Sequence, residues 1–129
     1  MAIAMNKLRV LVVDDTPHAR DLTMMFLTGL GVHQVHPAAD GREAQEFLEY
    51  ASDRVDLIIC DWHMPGMTGL ELLQKVRAIN PDMPFIMVTG NTDIDAVQAA
   101  GELAVSAYIR KPYSPQQFKE KLMAVLDKL

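Results

Sequence analysis

"LIICDWHMPGMTG", residues 57–69, decides how the rest of the chain is read. Four apolar residues run straight into Asp61, followed by Trp62, His63 and a Met-Pro-Gly turn. A short, unbroken apolar run of this kind marks a strand buried on both faces, as in a parallel sheet. A carboxylate at its end is costly to bury unless it is paired or put to use. Three other runs repeat the pattern. "LRVLVV" (8–13) leads to Asp14 and Asp15, "PFIMV" (84–88) to Thr89, and "SAYIR" (106–110) to Lys111 and Pro112. A fifth run, "HQVHPA" (33–38), is more polar, as expected of a sheet edge.

Helical patterns separate the strands. Thr16 and Pro17 open the first, which stops near Gly29 and Gly31. Asp40 and Glu43 open the second, with Ala44, Phe47, Leu48 and Ala51 at helical spacing. Thr68 and Glu71 form a capping box for the third, whose apolar face is Leu72, Leu73, Val76 and Ile79. "NTDIDAVQAAGELA" (91–104) reads as a weak, Ala-rich fourth helix. Ser114, Pro115 and Gln117 open the fifth, with Phe118, Leu122, Val125, Leu126 and Leu129 as its stripe. In the first helix, "TMMF" (23–26) reads as core packing. This alternation predicts an α/β, doubly wound, mostly parallel five-stranded sheet with five helices on both faces. In such sheets ligands bind beyond the carboxyl ends of the strands.

Composition limits the alternatives. With 129 residues, half of them hydrophobic, one domain over 1–129 is expected, residues 1–7 forming a loosely ordered extension. The single Cys60 excludes an internal disulfide and reads as a core residue. No apolar run approaches the ~18 residues of a membrane span, and "MAIAMNKLRV" has no secretory pattern, so a cytoplasmic setting is expected. A formal charge of -5 argues against direct nucleic-acid binding.

The strand ends then carry the chemistry. Three carboxylates, a hydroxyl and an ammonium converge on one edge. Alone, Asp14 or Asp15 would be a turn or cap residue, Thr89 a turn residue and Lys111 a solvated lysine. Together they fit a different role. Crowded carboxylates resist ionising unless a cation joins them, and Mg2+ suits a site of one or two carboxylates plus phosphate oxygens. A carboxylate can also attack phosphorus to give an aspartyl phosphate. Lys111 and the Thr89 hydroxyl can then meet the remaining phosphoryl oxygens.

"VVDD" (12–15), "CDWHMPGMTG" (60–69), "MVTG" (87–90) and "YIRKPY" (108–113) occur in order and at suitable spacing. On these motifs, from about Leu8 to Leu129, the chain resembles the receiver domains of bacterial two-component response regulators, and within them the stand-alone chemotaxis regulators. The resemblance implies strand order 2-1-3-4-5. It implies Asp61 as phosphoacceptor and Mg2+ ligand, Asp15 as direct Mg2+ ligand with Asp14 acting through water, and the His63 backbone carbonyl as a third protein ligand. It implies Thr89 as switch hydroxyl, Lys111 as its charged partner, a cis bond before Pro112, and Tyr108 as an aromatic switch. A histidine kinase would supply the phosphoryl group. The readout face would be Ile94, Val97, Tyr108, Tyr113 and Lys121, on the helix after Thr89, the Tyr108 strand and the last helix. Its reader would be a flagellar motor switch protein or a phosphatase, and the chain would be a monomer with no separate substrate.

The sequence departs from that family at His63, where Asn is frequent, at Asn91, where an acidic residue is common, and at Arg110, where a small apolar residue is frequent. The first two flank the path of hydrolytic water. His18, His33 and His36 lack ligand spacing, and His63 reads as a solvent-facing side chain. Trp62 reads as partly surface-exposed. Three alternatives stand beside the switch: a phosphate sink or phosphorelay intermediate, a receiver excised from a DNA-binding regulator, and a haloacid-dehalogenase-type hydrolase. The last normally has a second Asp where this chain has His63.

Overall fold

The computed structural model describes residues 4–90 and 105–129. Five parallel strands form one sheet in the order β2-β1-β3-β4-β5. They are β1 (Arg9–Val13), β2 (Gln34–Ala38), β3 (Leu57–Asp61), β4 (Phe85–Thr89) and β5 (Ala107–Arg110). Four α-helices lie among the described residues: α1 (Pro17–Gly29), α2 (Gly41–Ala51), α3 (Gly69–Ile79) and α4 (Pro115–Leu126). The helix expected over 91–104, with Asn91, Ile94 and Val97, falls outside them. The doubly wound fold and strand order stand as expected, with β2 at an edge.

Alternation along the strands divides the core in two. Leu11, Val13, Ile58, Cys60, Phe85 and Met87 face the side where Leu48 of α2 and Leu72 of α3 are buried. Val10, Val12, Leu57, Ile59, Ile86 and Val88 face Leu27 of α1 and Phe118 of α4. Strands buried on both faces can be apolar throughout, which is why these runs lack a polar repeat. β3 and β4 are buried at every position, whereas edge strand β2 is mostly exposed.

Helix starts follow the side-chain chemistry. Asp40 accepts the Glu43 backbone N–H, and Thr68–Glu71 and Ser114–Gln117 both form complete capping boxes. Thr16 differs from its expected role. It precedes α1, but its side chain makes no cap bond. Its N–H donates to Asp14 Oδ1 at 3.0 Å instead, so Asp14 shapes this turn. Three apolar assignments also need correction. Met25 is 67% exposed, Ile79 63% and Leu129 38%. Met24 and Phe26 do pack inward, because neighbouring helical positions point about 100° apart and Met25 cannot share their side. Ile79 ends α3 and Leu129 lies beyond α4, where both are exposed among the described residues. At the other end of the chain, Met5–Lys7 form a single 3-10 turn.

Candidate functional site

Each strand end delivers its residue to the carboxyl edge. Asp14 follows β1, Asp61 closes β3, Thr89 closes β4 and Lys111 follows β5. Asp14, Asp61 and Thr89 are only 5%, 7% and 4% exposed. Asp14, Asp15 and Asp61 each offer a carboxylate oxygen, and these atoms lie within 4.8 Å of one another. Lys111 Nζ stands 3.3 Å from Asp61 Oδ1 and 3.8 Å from Asp14 Oδ2. Thr89 Oγ1 donates to the Gly90 carbonyl at 3.2 Å, and the Thr89 carbonyl accepts the Lys111 backbone N–H at 2.8 Å. The Lys111–Pro112 peptide is cis.

The electrostatics fit a site built for added charge. Burial pushes the Asp61 carboxyl above the usual carboxylate range. Asp14 and Asp15 push the same way, and Lys111 opposes them without prevailing. One lysine among three carboxylates leaves net negative charge in this cluster. A hard divalent cation with oxygen ligands suits that donor set, and no sulfur or imidazole atom belongs to it. His63 itself is exposed.

The backbone around Asp61 is fixed tightly. The Trp62 N–H donates to the Val88 carbonyl at 2.8 Å, and the Trp62 carbonyl accepts the Gly69 N–H at 2.9 Å. Gly66, in the turn between, has φ +78°, a conformation glycine adopts without a Cβ penalty. Gly69 is required for a second reason. A Cβ there would fall 2.5 Å from the Asp61 carbonyl oxygen and 3.0 Å from Trp62 Cα. Cys60 points away from the site, and burial pushes its thiol well up, so it remains a neutral core group.

One expectation changes here. Trp62 is 7% exposed and lies in the core with Met64, Leu72 and Leu73. The strand alternation that sends Cys60 inward carries Trp62 to the same side. Tyr108 packs on the Trp62 side of the sheet and Tyr113 on the α1 and α4 side, whereas Lys121 is an exposed position of α4. Sequence reading also missed Arg20, whose Nη1 donates to the Asp14 carbonyl at 2.9 Å. Its position one turn into α1 was the available signal. Thr23, bonded to Tyr113, gave none.

This geometry has relatives. The family model for the response regulator receiver domain matches residues 10–123. The chain belongs to that family. As a receiver domain it is similar to a chemotaxis protein CheY homolog of Campylobacter jejuni, at 45% identity over 121 residues and 92% of each chain. It is also similar to the chemotaxis protein CheY of Pseudomonas aeruginosa, at 34% identity, covering 95% of this chain and 98% of that one. Among solved structures, the chemotaxis response regulator CheY4 of Vibrio cholerae superposes with a TM-score of 0.82 at 34% identity, covering 92% of this chain and 98% of that one. Receiver domains are parts of two-component signalling, so the acidic cluster belongs to a signalling module. Among the described residues of this receiver domain, no helix is long and apolar enough to cross a membrane.

Proposed function

We propose that this receiver domain is a phosphorylation-driven switch, taking a phosphoryl group from a histidine kinase onto Asp61 in a chemotaxis pathway. The observation that carries the reading is the Asp61 carboxylate, buried beside Asp14 and Asp15 with Lys111 Nζ 3.3 Å from its oxygen. The similarity to chemotaxis regulators supports the pathway.

In this mechanism an Asp61 oxygen attacks phosphorus, and the bond from phosphorus to the donor histidine nitrogen breaks. Asp15, Asp14 and Asp61, with the His63 backbone carbonyl, would hold Mg2+, which when bound offsets charge on the phosphoryl oxygens. Lys111 pairs with an oxygen of the new phosphoryl group, and the Thr89 hydroxyl turns from the Gly90 carbonyl to another. Tyr108 follows Thr89 inward. That shift alters a surface comprising Ile94, Val97, Tyr108, Tyr113 and Lys121, which a motor switch protein or phosphatase reads. Water later hydrolyses the acyl phosphate and restores Asp61. No separate substrate is turned over, and the unit acts as a cytoplasmic monomer formed by residues 1–129.

The test is phosphoryl uptake from acetyl phosphate, read by intact mass with and without Mg2+. The reading expects one added phosphoryl group in wild type and none in Asp61→Asn. Trp62 fluorescence serves as a second readout, reporting through core packing beside Asp61. Uptake that persists in Asp61→Asn would sink the assignment.

A further inference from the structure

One contact outside the acidic cluster ties a distant helix to the lysine. The Tyr113 and Thr23 hydroxyls are 2.8 Å apart, joining the loop after β5 to α1. Thr23 is 3% exposed. Its hydroxyl also lies 3.2 Å from the Ala19 carbonyl one turn back. The Tyr113 ring meets Phe26 edge-on and stacks on Phe118, each with a centroid distance of 5.8 Å.

Beside this hydrogen bond, apolar side chains also meet between α1 and the loop. Ala19, Leu22 and Pro112 line a concavity there together with Lys111 and Tyr113. Apolar contact is non-directional, whereas a hydrogen bond fixes distance and angle. Lys111 stands two residues before Tyr113. On its other side, its N–H is held by the Thr89 carbonyl at 2.8 Å. The segment is thus pinned to β4 through Lys111 and to α1 through Tyr113. The same helix holds Asp14 through Arg20, so α1 sets both the carboxylate side and the lysine side of the cleft.

We propose that Thr23 and Tyr113 are positioning residues that set Lys111 Nζ relative to Asp61, through the hydrogen bond between α1 and the β5–α4 loop. This rests on the reading of Asp61 as acceptor and Lys111 as its charge partner. A displaced lysine loses the oriented contact that assists transfer.

The experiment is a cycle on the full chain, following phosphoryl uptake from acetyl phosphate with Mg2+. Tyr113→Phe and Thr23→Val should each slow uptake about fivefold, the worth of one ordinary hydrogen bond. Thr23→Ser, which keeps the hydroxyl, should restore the wild-type rate. In a Lys111→Ala background Tyr113→Phe should add no further slowing, because coupled residues are not additive. Equal slowing in both backgrounds would show general loosening and overturn the proposal. So would a wild-type rate in Tyr113→Phe while Asp61→Asn blocks uptake. Uptake that survives Asp61→Asn would instead remove the acceptor reading on which the proposal rests.

Discussion

Asp56 and Asp61 stand at opposite ends of strand β3 and show what two surroundings do to one side chain. Asp56 lies just before the strand, where Arg9 grips it with Nε at 3.1 Å, Nη2 at 3.0 Å and its backbone N–H at 2.9 Å. Burial alone would raise the Asp56 carboxyl, but the Arg9 hydrogen bonds outweigh it and hold it below the usual range. Asp61 is more buried, faces two other carboxylates and has a lysine at 3.3 Å, and it sits above that range. The first carboxylate is satisfied and serves the fold. The second is held at a cost that a bound cation would relieve. A residue kept in that state belongs to a functional site more often than to a structural one.

The comparison breaks most visibly on chemistry. Asp61→Asn should reduce phosphoryl uptake to background, whereas Asp56→Asn should leave it near wild type, both read by intact mass after acetyl phosphate. Equal losses in both variants would mean that the two ends of β3 are not functionally distinct.

The next effect is metal linkage. At Mg2+ a hundredfold above its Kd, the wild-type chain should gain about 2.7 kcal/mol of stability by mass action. Asp56→Asn should keep that increment and Asp61→Asn should lose most of it, as read by denaturant unfolding with and without EDTA.

Gly69→Ala tests the tightness of the Asp61 end alone. Its Cβ would press on the Asp61 carbonyl oxygen at 2.5 Å. Backbone cannot yield cheaply, so a loss of about 2 kcal/mol is expected from overpacking. Unchanged stability in urea would show that this end of β3 is looser than described.

The smallest effect is a difference of sign with pH, measured in EDTA as melting temperature. The folded Asp61 carboxyl is raised, so the charging penalty is absent below the ordinary carboxylate range and grows as pH rises through the raised value. Asp61→Asn should therefore overtake wild type across that window. The folded Asp56 carboxyl is lowered, so its stabilisation is present above the ordinary range and lost as pH falls through the lowered value. Asp56→Asn should be less stable than wild type at neutral pH, and the gap should close in acid. Parallel curves for the two variants would remove the contrast.

What sequence made legible followed local rules. Strands β1, β3 and β4 announced themselves because burial on both faces permits unbroken apolar runs. Capping at Asp40, Thr68 and Ser114 was readable because a cap bond spans three residues. The edge position of β2 was visible in its polarity. Asp14, Asp15, Asp61, Thr89 and Lys111 were found because a parallel sheet sends every carboxyl strand end to one side. Exposure of Met25 and Ile79 was harder, since helical periodicity gives an angle without saying what stands opposite.

The sequence by itself determined the fold class and the edge on which the charged residues gather, because both follow from patterns within a few neighbouring residues. Only the tertiary structure decided that Trp62 is core, that Tyr108 and Tyr113 pack on different sides of the sheet, and that Thr23 and Arg20 brace the site from α1. Those outcomes depend on which surfaces meet across the sheet. Thr23 and Tyr113 are 90 residues apart, and no local pattern encodes a hydrogen bond between them.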